Sequence, residues 1–258
     1  MTEPAQHRQA FRTGQRAGHT SGLAPGFVQG NVAIVPGRYA ADFAAYCRSN
    51  AQACPVLATA TDGAWALPAL GEGIDIRSDL PAYRVYRRGV AAVVPDVVAL
   101  WQPDFATFVI GCSFTFEQAL IAGGVPLRHV AEGRNVAMYR TSIPTIEAGP
   151  FGGGMVVSMR PVARRLVGLA SEITSRFGDQ HGRPVHTGDP AAIGIADLTR
   201  PDYGDAVTIA DDEVPVFWAC GVTSQAALER AALEQAGLPL FIAHAPGCML
   251  ITDRRHAA

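Results

Sequence analysis

The sequence predicts an α/β fold with a mainly parallel or mixed sheet. Apolar runs typical of strands alternate with apolar residues at helical spacing along much of the chain, and one strand-to-helix segment recurs later in the sequence. Such alternation is typical of strand–helix–strand units, whose strands usually run parallel. With 48% hydrophobic residues in a chain of 258, the protein can build a substantial core.

The first half of the chain contains short predicted elements separated by turns. Apolar runs indicate strands, helix-spaced apolar residues indicate helices, and Arg88-Gly89 lies between two β-prone runs as in a hairpin. The predicted elements are a strand at 31–36, a helix at 38–50, a strand at 55–60, two strands within 82–95, a short helix at 96–101 and a strand at 106–111.

The second half continues the same pattern. The run MVVSM predicts a strand, and apolar residues at helical spacing over 161–177 predict a helix with Pro161 in its first turn. Asp189 before Pro190 is typical of the N-cap of a short helix. The last third is expected to contain a strand, a helix and a further strand.

An internal repeat is indicated by two segments at a constant spacing. FVIGCSFTFEQAL places Cys112 and Thr115 where VFWACGVTSQAAL places Cys220 and Thr223. Each copy is read as ending its helix at a glycine and entering a strand through a proline. This favours two related strand–helix–strand units, although two similar units could also have arisen independently.

The basic residues exclude several kinds of chemistry. All 21 are arginine, so no lysine can form a Schiff base with a substrate or with pyridoxal phosphate. The Walker lysine is absent, and no G-x-G-x-x-G follows a predicted strand. We therefore expect no cofactor.

Charge and hydropathy indicate a cytoplasmic protein. The net charge is −2, no basic block is present, and no stretch reaches the roughly 20 apolar residues of a membrane span, so neither nucleic acid nor a membrane is an expected partner. The five cysteines form no C-x-x-C pair. His181, His186 and Asp189 do not match a metal-ligand spacing, and we expect no metal.

The junction at Cys112 and Ser113 is a candidate catalytic site. A thiol that follows a strand and precedes a helix lies near unpaired backbone N–H groups, which can lower its pKa. Thr115 is expected to be the N-cap, with Gln118 completing a capping box. Both Cys112 and its counterpart Cys220 could instead be small core residues.

Two further residues are candidates for proton transfer. Glu117 falls in the first turn of the predicted helix, and His244 ends the predicted strand PLFIAH. A carboxylate in a first helical turn is also favoured by the helix dipole, and a histidine at a strand end can be purely structural.

Polar residues near these segments suit a substrate with acid groups. Arginine forks bind carboxylates with two parallel hydrogen bonds, so a small carboxylate or amino acid is the expected partner. A solvated loop is the alternative. The candidate binding residues are Ser113, Arg134, Asn135, Tyr139, Arg140, Ser158, Arg160 and Thr223.

Seven segments resemble one family along most of the chain, from about Thr20 to Asp253. The segments LAPGFVQGN, FVIGCSFTFEQAL, HVAEGRNVAMYRT, MVVSMRP, PVHTGDPAAIGIADL, VFWACGVT and HAPGCMLITD, in this order, resemble the bacterial hydro-lyase family related to D-glutamate cyclase. Related proteins are assigned the cyclisation of D-glutamate to 5-oxo-D-proline with loss of water.

The resemblance implies an architecture and a set of roles. It implies a larger three-layer αβα part, expected at 1–105 plus 205–258, and a smaller two-layer α+β part at 106–204. Gly152-Gly153-Gly154 departs from the bulkier residues that the resemblance leads us to expect before MVVSMRP, which puts substrate specificity in doubt if that loop touches substrate.

For a lactam-forming reaction, we expect three roles. Arg134, Arg140 and Arg160 would hold carboxylates, and backbone N–H groups after Cys112 would stabilise an oxyanion. Cys112, Glu117 or His244 would move protons, with Cys220 as a further candidate. Two other classes stay open: a non-catalytic module that binds an acidic metabolite, and a dehydratase of a hydroxy acid. A homo-oligomer is also left open.

Overall fold

A computed structural model describes residues 1–87, 90–234 and 240–256 of the chain. Within these residues the structure contains eleven strands and six α-helices. The strands are β1 (Phe27–Pro36), β2 (Val56–Ala60), β3 (Tyr83–Arg87), β4 (Val90–Val94), β5 (Phe105–Gly111), β6 (Ala137–Pro144), β7 (Gly154–Ala163), β8 (His186–Thr187), β9 (Glu213–Ala219), β10 (Leu240–His244) and β11 (Leu250–Arg255). The helices are α1 (Glu3–Arg12), α2 (Ala40–Ser49), α3 (Phe114–Ala122), α4 (Arg128–Ala131), α5 (Val167–Ser175) and α6 (Val222–Glu234).

The strands form two sheets, and neither is parallel. The larger sheet has the order β2-β5-β1-β10-β3-β4, with β11 also paired to β1, and the smaller sheet has the order β6-β7-β9-β8. Every strand pairing between described residues is antiparallel. The α/β class is confirmed, whereas the prediction of a mainly parallel or mixed sheet is wrong.

The antiparallel pairing follows from where the helices take the chain. Helix α3 connects β5 of the larger sheet to the smaller sheet, which the chain enters at β6. Helix α6 makes the opposite connection, from β9 of the smaller sheet to β10 of the larger. A strand–helix–strand unit requires parallel strands only when both belong to one sheet, so the alternation in the sequence does not determine strand direction here.

The internal repeat is confirmed and includes more than the two matched segments. The partners Gly30 and Gly111 in the β1–β5 ladder correspond to Val157 and Ala219 in the β7–β9 ladder, at the same spacing as the cysteines. The strand order β2-β5-β1-β10 matches β8-β9-β7-β6. Each half therefore builds three strands of its own sheet and contributes the fourth to the sheet of the other half.

Each sheet is covered by helices on one face and by loops on the other. Helices α2 and α6 pack on the larger sheet through residues such as Phe43 and Leu228, while loop residues including Leu67 and Leu80 cover its second face. Helices α3 and α5 cover one face of the smaller sheet around Trp218. The expected three-layer αβα part is not confirmed, because a loop layer takes the place of one helical layer.

Two local predictions are wrong. Residues 161–163 belong to β7 rather than to a helix, and α5 begins only at Val167. Pro161 fits the strand because its partner is Pro215 of β9, while the recorded pairing with β6 extends only to Met159, so no ladder donor is lost. The segment after Pro126 forms the short helix α4 before any strand.

Other local predictions are confirmed. Strands β3 and β4 pair as a hairpin, although Arg88-Gly89 lies outside the described residues, as does the second glycine–proline segment, 237–239. Asp189 accepts a hydrogen bond from the N–H of Ala191 and caps a short 3-10 helix. No helix in the described ranges is long and apolar enough to cross a membrane. The domain boundaries stay a prediction.

Candidate functional site

A buried ionic cluster lies in the first turn of α3. Glu117 Oε1 is 2.7 Å from a terminal nitrogen of Arg160 and 2.8 Å from Nε2 of His129. All three side chains are buried. A carboxylate with two nitrogen partners in the protein interior is costly to desolvate, so it indicates a site whose charge has a function.

Arg160 anchors this cluster from β7. Its guanidinium donates to the hydroxyls of Ser158 and Ser113 at 3.0 and 3.1 Å, in addition to Glu117. It also lies against the rings of Phe116 and Trp218. These contacts bring Glu117, Ser113, Ser158 and Arg160 together, as expected for four residues selected from the sequence.

The cluster keeps Glu117 ionised. Burial by itself raises the pKa of this carboxyl, but the neighbouring His129 and Arg160 outweigh burial and lower the pKa below its ordinary value. Glu117 is therefore a carboxylate at neutral pH. It can accept a hydrogen bond from a bound ammonium group or receive a proton from it.

A small cavity of about 160 Å³ lies beside Glu117. Its walls are the loop 22–27, Gln29 and one side of α3. Glu117 Oε2, the oxygen that is not bound to Arg160, accepts a hydrogen bond of 3.1 Å from Ser21. The cavity is smaller than the roughly 300–1,000 Å³ of sites for drug-sized ligands, so it suits a small metabolite.

Gln29 presents an unused acceptor in this cavity. Its Nε2 donates to the carbonyls of Thr20 and Leu23, both at 3.0 Å, which determines the orientation of the amide. Its Oε1 is buried and has no partner in the described structure. A buried acceptor without a donor costs free energy, and a ligand N–H group would satisfy it.

The loop beside the cavity also exposes donors. Ala24 has a φ of 46°, which is unusual for a residue with a side chain, and Gly26 has a φ of 84°. The N–H groups of Gly22, Ala24 and Gly26 donate to no acceptor among the residues that the structure describes. Successive free N–H groups in a turn can bind an anion such as a carboxylate.

The predicted cap of α3 is wrong. The helix begins at Phe114, with Ser113 in the N-cap position and no side-chain capping bond. The hydroxyl of Thr115 instead accepts a hydrogen bond from the N–H of Gln29 at 3.1 Å. In the other half, the hydroxyl of Thr223 accepts from the N–H of Val156 at 3.0 Å. Both threonines connect a helix to a neighbouring strand.

Cys112 and Cys220 lie together in a buried apolar cluster with Met138 and Met249. Burial raises the pKa of the Cys220 thiol to about 11 and raises that of Cys112 further above its ordinary value. The N–H group of Thr115 donates to the carbonyl of Cys112 and that of Phe116 to Ser113. These expected oxyanion donors already have acceptors. The catalytic roles of the two thiols stay a prediction.

His244 lies in the larger sheet and does not line the cavity beside Glu117. Its Nδ1 is 3.2 Å from the backbone nitrogen of Val32, and its Nε2 is buried without a partner. Burial lowers the pKa of His244 to about 4, and the contact with Val32 opposes this only in part. Its role in proton transfer also stays a prediction.

The three arginines expected to form one clamp lie in three separate sets of contacts. Arg160 is buried, whereas Arg134 is half exposed and donates to the carbonyl of Ala206. Arg140 is half exposed and contacts Glu229 at 2.6 Å. The remaining two candidates contact the segment 198–205: the backbone N–H of Asn135 donates to Asp205, and the hydroxyl of Tyr139 donates to the carbonyl of Leu198.

Sequence reasoning missed His129, Gln29 and Ser21. His129 and Gln29 lie within HVAEGRNVAMYRT and LAPGFVQGN, two of the segments that resemble a known family. Their chemistry depends on contacts across the fold, between 12 and 96 residues apart in the chain. Membership in those segments was the available signal.

The site residues belong to a recognisable family. The sequence model described as D-glutamate cyclase matches residues 106–253, which include Glu117, His129 and Arg160. The chain belongs to the D-glutamate cyclase family. Ser21 and Gln29 precede the matched range, but full-length relatives cover them.

Curated members of the D-glutamate cyclase family match nearly the whole chain. A "Putative hydro-lyase" of Verminephrobacter eiseniae is 59% identical over 98% of this chain and 91% of its own length. A protein of the same description from Methylobacterium radiotolerans is 54% identical over 95% and 89% of the two chains. The crystal structure of a nitrogen repressor-like protein from Methanococcus jannaschii covers 93% of this chain and 91% of its own with a TM-score of 0.40 and 13% identity, which is too weak for any inference.

Proposed function

We propose that this member of the D-glutamate cyclase family is a hydro-lyase that cyclises D-glutamate to 5-oxo-D-proline in the cavity beside Glu117. One observation carries the proposal. An ionised carboxylate and the unpaired acceptor of Gln29 border the same small cavity, and together they suit the ammonium group of an amino acid.

The reaction requires one bond to form and one to break. The amino nitrogen of glutamate attacks its own γ-carboxyl carbon, forming the C–N bond of the lactam, and the C–O bond to a hydroxyl breaks. In our proposal Glu117 takes the proton that the nitrogen loses and returns it to the departing hydroxyl, which leaves as water. Atoms and charge balance without an added oxidant or reductant.

His129 and Arg160 act through Glu117. Both contact Glu117 Oε1 and leave Oε2, the oxygen near Ser21, to exchange a proton with the ligand. We therefore assign them positioning roles. Ser113 and Ser158 in turn orient the guanidinium of Arg160.

The substrate carboxylates need donors at the opposite wall. The free N–H groups of the loop 22–27 supply them in this proposal. Arg255 lies beside this loop, with its guanidinium 4.3 Å from the ring centroid of Phe27, and provides a positive charge at the rim. No role is required of Arg134 or Arg140 here.

The test is a proton NMR time course with purified protein and either D-glutamate or L-glutamate. We expect 5-oxoproline resonances with the D enantiomer, and a loss of at least about a hundredfold in Glu117→Gln, as is typical for a positioned general base. Glu172→Gln changes an exposed carboxylate on α5 and serves as the control.

Three results would contradict the proposal. Full turnover by folded Glu117→Gln would exclude the assigned base. Saturable binding without product would identify a binding module. An unsaturated product absorbing in the near ultraviolet, formed from a hydroxy acid, would identify a dehydratase of a different substrate class.

A further inference from the structure

The internal repeat creates a second cleft at the position equivalent to the cavity beside Glu117. The first cavity is lined in part by Pro25, Gly26, Phe27, Gln118 and Ile121. Their counterparts at the spacing of the two halves line the second cleft, which has a volume of about 370 Å³. These counterparts are Gly152, Gly153, Gly154, Ala226 and Glu229.

Backbone geometry supports the equivalence of the two clefts. Gly26 and its counterpart Gly153 both have positive φ angles, of 84° and 126°. The loop before β1 and the loop before β7 therefore bend in the same way beside α3 and α6. The threonine contacts of Thr115 and Thr223 connect each helix to the strand that follows its loop.

The second cleft lacks the groups assigned to catalysis in the first. The counterpart of Glu117 is Gln225, and the counterpart of Arg160 is Ala33. Gln225 is buried and donates its Nε2 to Tyr86 at 2.6 Å and to Glu229 at 3.2 Å. The equivalent position therefore holds a neutral amide, so this cleft can bind a ligand without transferring a proton through that position.

Donors for an anion are nevertheless present. The N–H groups of Gly152 and Gly153 donate to no acceptor within the described chain, and Gly152 is buried. Arg140 and Arg230 border the same cleft. Two adjacent N–H groups beside guanidinium groups are a common arrangement for binding a carboxylate or phosphate.

A carboxylate of the protein already occupies part of this region. Glu147 Oε1 is 2.8 Å from a terminal nitrogen of Arg230. A Cβ added at Gly152 would lie 2.7 Å from Glu147 and 2.9 Å from Arg230, so the ion pair lies directly over the glycine. An incoming anion would compete with Glu147 for Arg230.

The remaining wall is apolar. Leu233 is 76% exposed and lines the cleft together with Ala226. An aliphatic chain next to the anionic group would cover this leucine, whereas inorganic phosphate would not. The wall therefore favours a carboxylate with a short hydrocarbon chain.

We infer that the cleft formed by the loop 152–154 and α6 is a second, non-catalytic binding site for a small aliphatic carboxylate. This inference is independent of the proposed lyase activity. It rests on the free glycine N–H groups, the bordering arginines and the exposed leucine. The glycines that replace the bulkier family residues make room for the ligand.

The experiment uses the full-length protein labelled with ¹⁵N-glycine and titrated with valerate or with inorganic phosphate. We expect saturable shifts of the Gly152 and Gly153 amide resonances with valerate. Arg230→Gln should weaken valerate binding at least fivefold, and Glu147→Gln should strengthen it, because the competing carboxylate is gone. Leu233→Ser should weaken valerate binding alone.

The control is Glu172→Gln, which neutralises an exposed carboxylate on α5 and should change neither titration. The inference fails if the two glycine amides do not respond to valerate. It also fails if Arg230→Gln binds valerate as the parent does, or if phosphate binds more tightly than valerate. Turnover of D-glutamate is measured in parallel, so loss of the second site and loss of lyase activity can be distinguished.

Discussion

Thr115 and Thr223 make the same contact in the two halves of the fold. Each hydroxyl accepts a hydrogen bond from the backbone N–H of a strand residue, Gln29 in one half and Val156 in the other. Only the first of these strand residues lines the cavity beside Glu117. The repeat therefore supplies matched positions at which stability and activity can be separated.

Thr115→Val and Thr223→Val should have similar effects on stability and different effects on activity. Each removes the acceptor of a buried N–H group, so we expect the free energy of unfolding to fall by about 1–3 kcal/mol in both variants. Turnover of D-glutamate should fall in Thr115→Val, because Gln29 loses its backbone anchor, and persist in Thr223→Val. Urea denaturation and the NMR assay measure both quantities. Equal activities would contradict the prediction.

Arg160→Met should destabilise the protein by about 3–5 kcal/mol, because it leaves the buried carboxylate of Glu117 without its guanidinium partner. Adding Glu117→Gln should recover part of this loss, since the uncompensated charge is then removed. Urea denaturation of the two single variants and the double variant provides the coupling free energy. Strictly additive effects would show that the pair does not interact.

The exposed pair Arg176 and Glu172 is the matched control for this cycle. Its side chains are 62% and 67% exposed, with the charged atoms 3.4 Å apart. Solvent-exposed pairs contribute at most about 1 kcal/mol, so the same two substitutions there should have small effects.

His244 should make stability depend on pH between about 6.5 and 4. Its pKa is about 4 in the folded protein and 6.5 in the unfolded chain, so the unfolded chain binds a proton first as pH falls. The stabilising contribution is complete above pH 6.5, decreases as pH falls through this window and is lost below about 4, with a size on the order of 3 kcal/mol.

The variant His244→Asn tests this dependence. An asparagine oxygen can still accept from Val32 without titrating, so the decrease of the unfolding free energy between pH 7 and pH 5 should be smaller than in the parent. His181 has a pKa lowered to about 4 as well and should account for the remaining slope. His186→Asn changes a partly exposed histidine and should leave the slope unchanged. An unaltered slope in His244→Asn would contradict the prediction.

The sequence predicted the α/β class, the repeat and half of the ionic cluster, but not the strand direction. Cys112 and Thr115 recur as Cys220 and Thr223, and this pattern is local in the chain. The exchange of strands between sheets is a tertiary property, so no local pattern distinguishes it from a parallel unit. Glu117 stood out by its place in a helical turn.

The partners of Glu117 were harder to predict for the same reason. His129 reaches it from α4, and Ser21 from the loop before β1, through contacts that depend on how the two halves pack. Asp189 shows the opposite case: its capping contact is only two residues away in the chain, so its pattern was sufficient.

Gln29→Leu should mainly weaken substrate binding. The two amide donors of Gln29 hold its Oε1 toward the cavity, where the proposed function assigns it the substrate ammonium group. A hydrogen bond to a charged group contributes about 1.5–3 kcal/mol, so KM for D-glutamate should rise by roughly 10- to 100-fold. Because the group contacts the amine rather than the departing hydroxyl, kcat should change much less.

Two further variants make this last prediction specific. Gln9→Leu alters an exposed glutamine of α1 and should leave both kinetic constants unchanged. Gln29→Glu retains an acceptor oxygen but replaces the amide donor that binds Thr20 and Leu23, so it should lower both stability and affinity. Steady-state kinetics with D-glutamate, accompanied by thermal unfolding, measures these effects. An unchanged KM in folded Gln29→Leu would show that the unpaired oxygen does not contact the substrate, and the ammonium group would then have to be assigned to Glu117 alone.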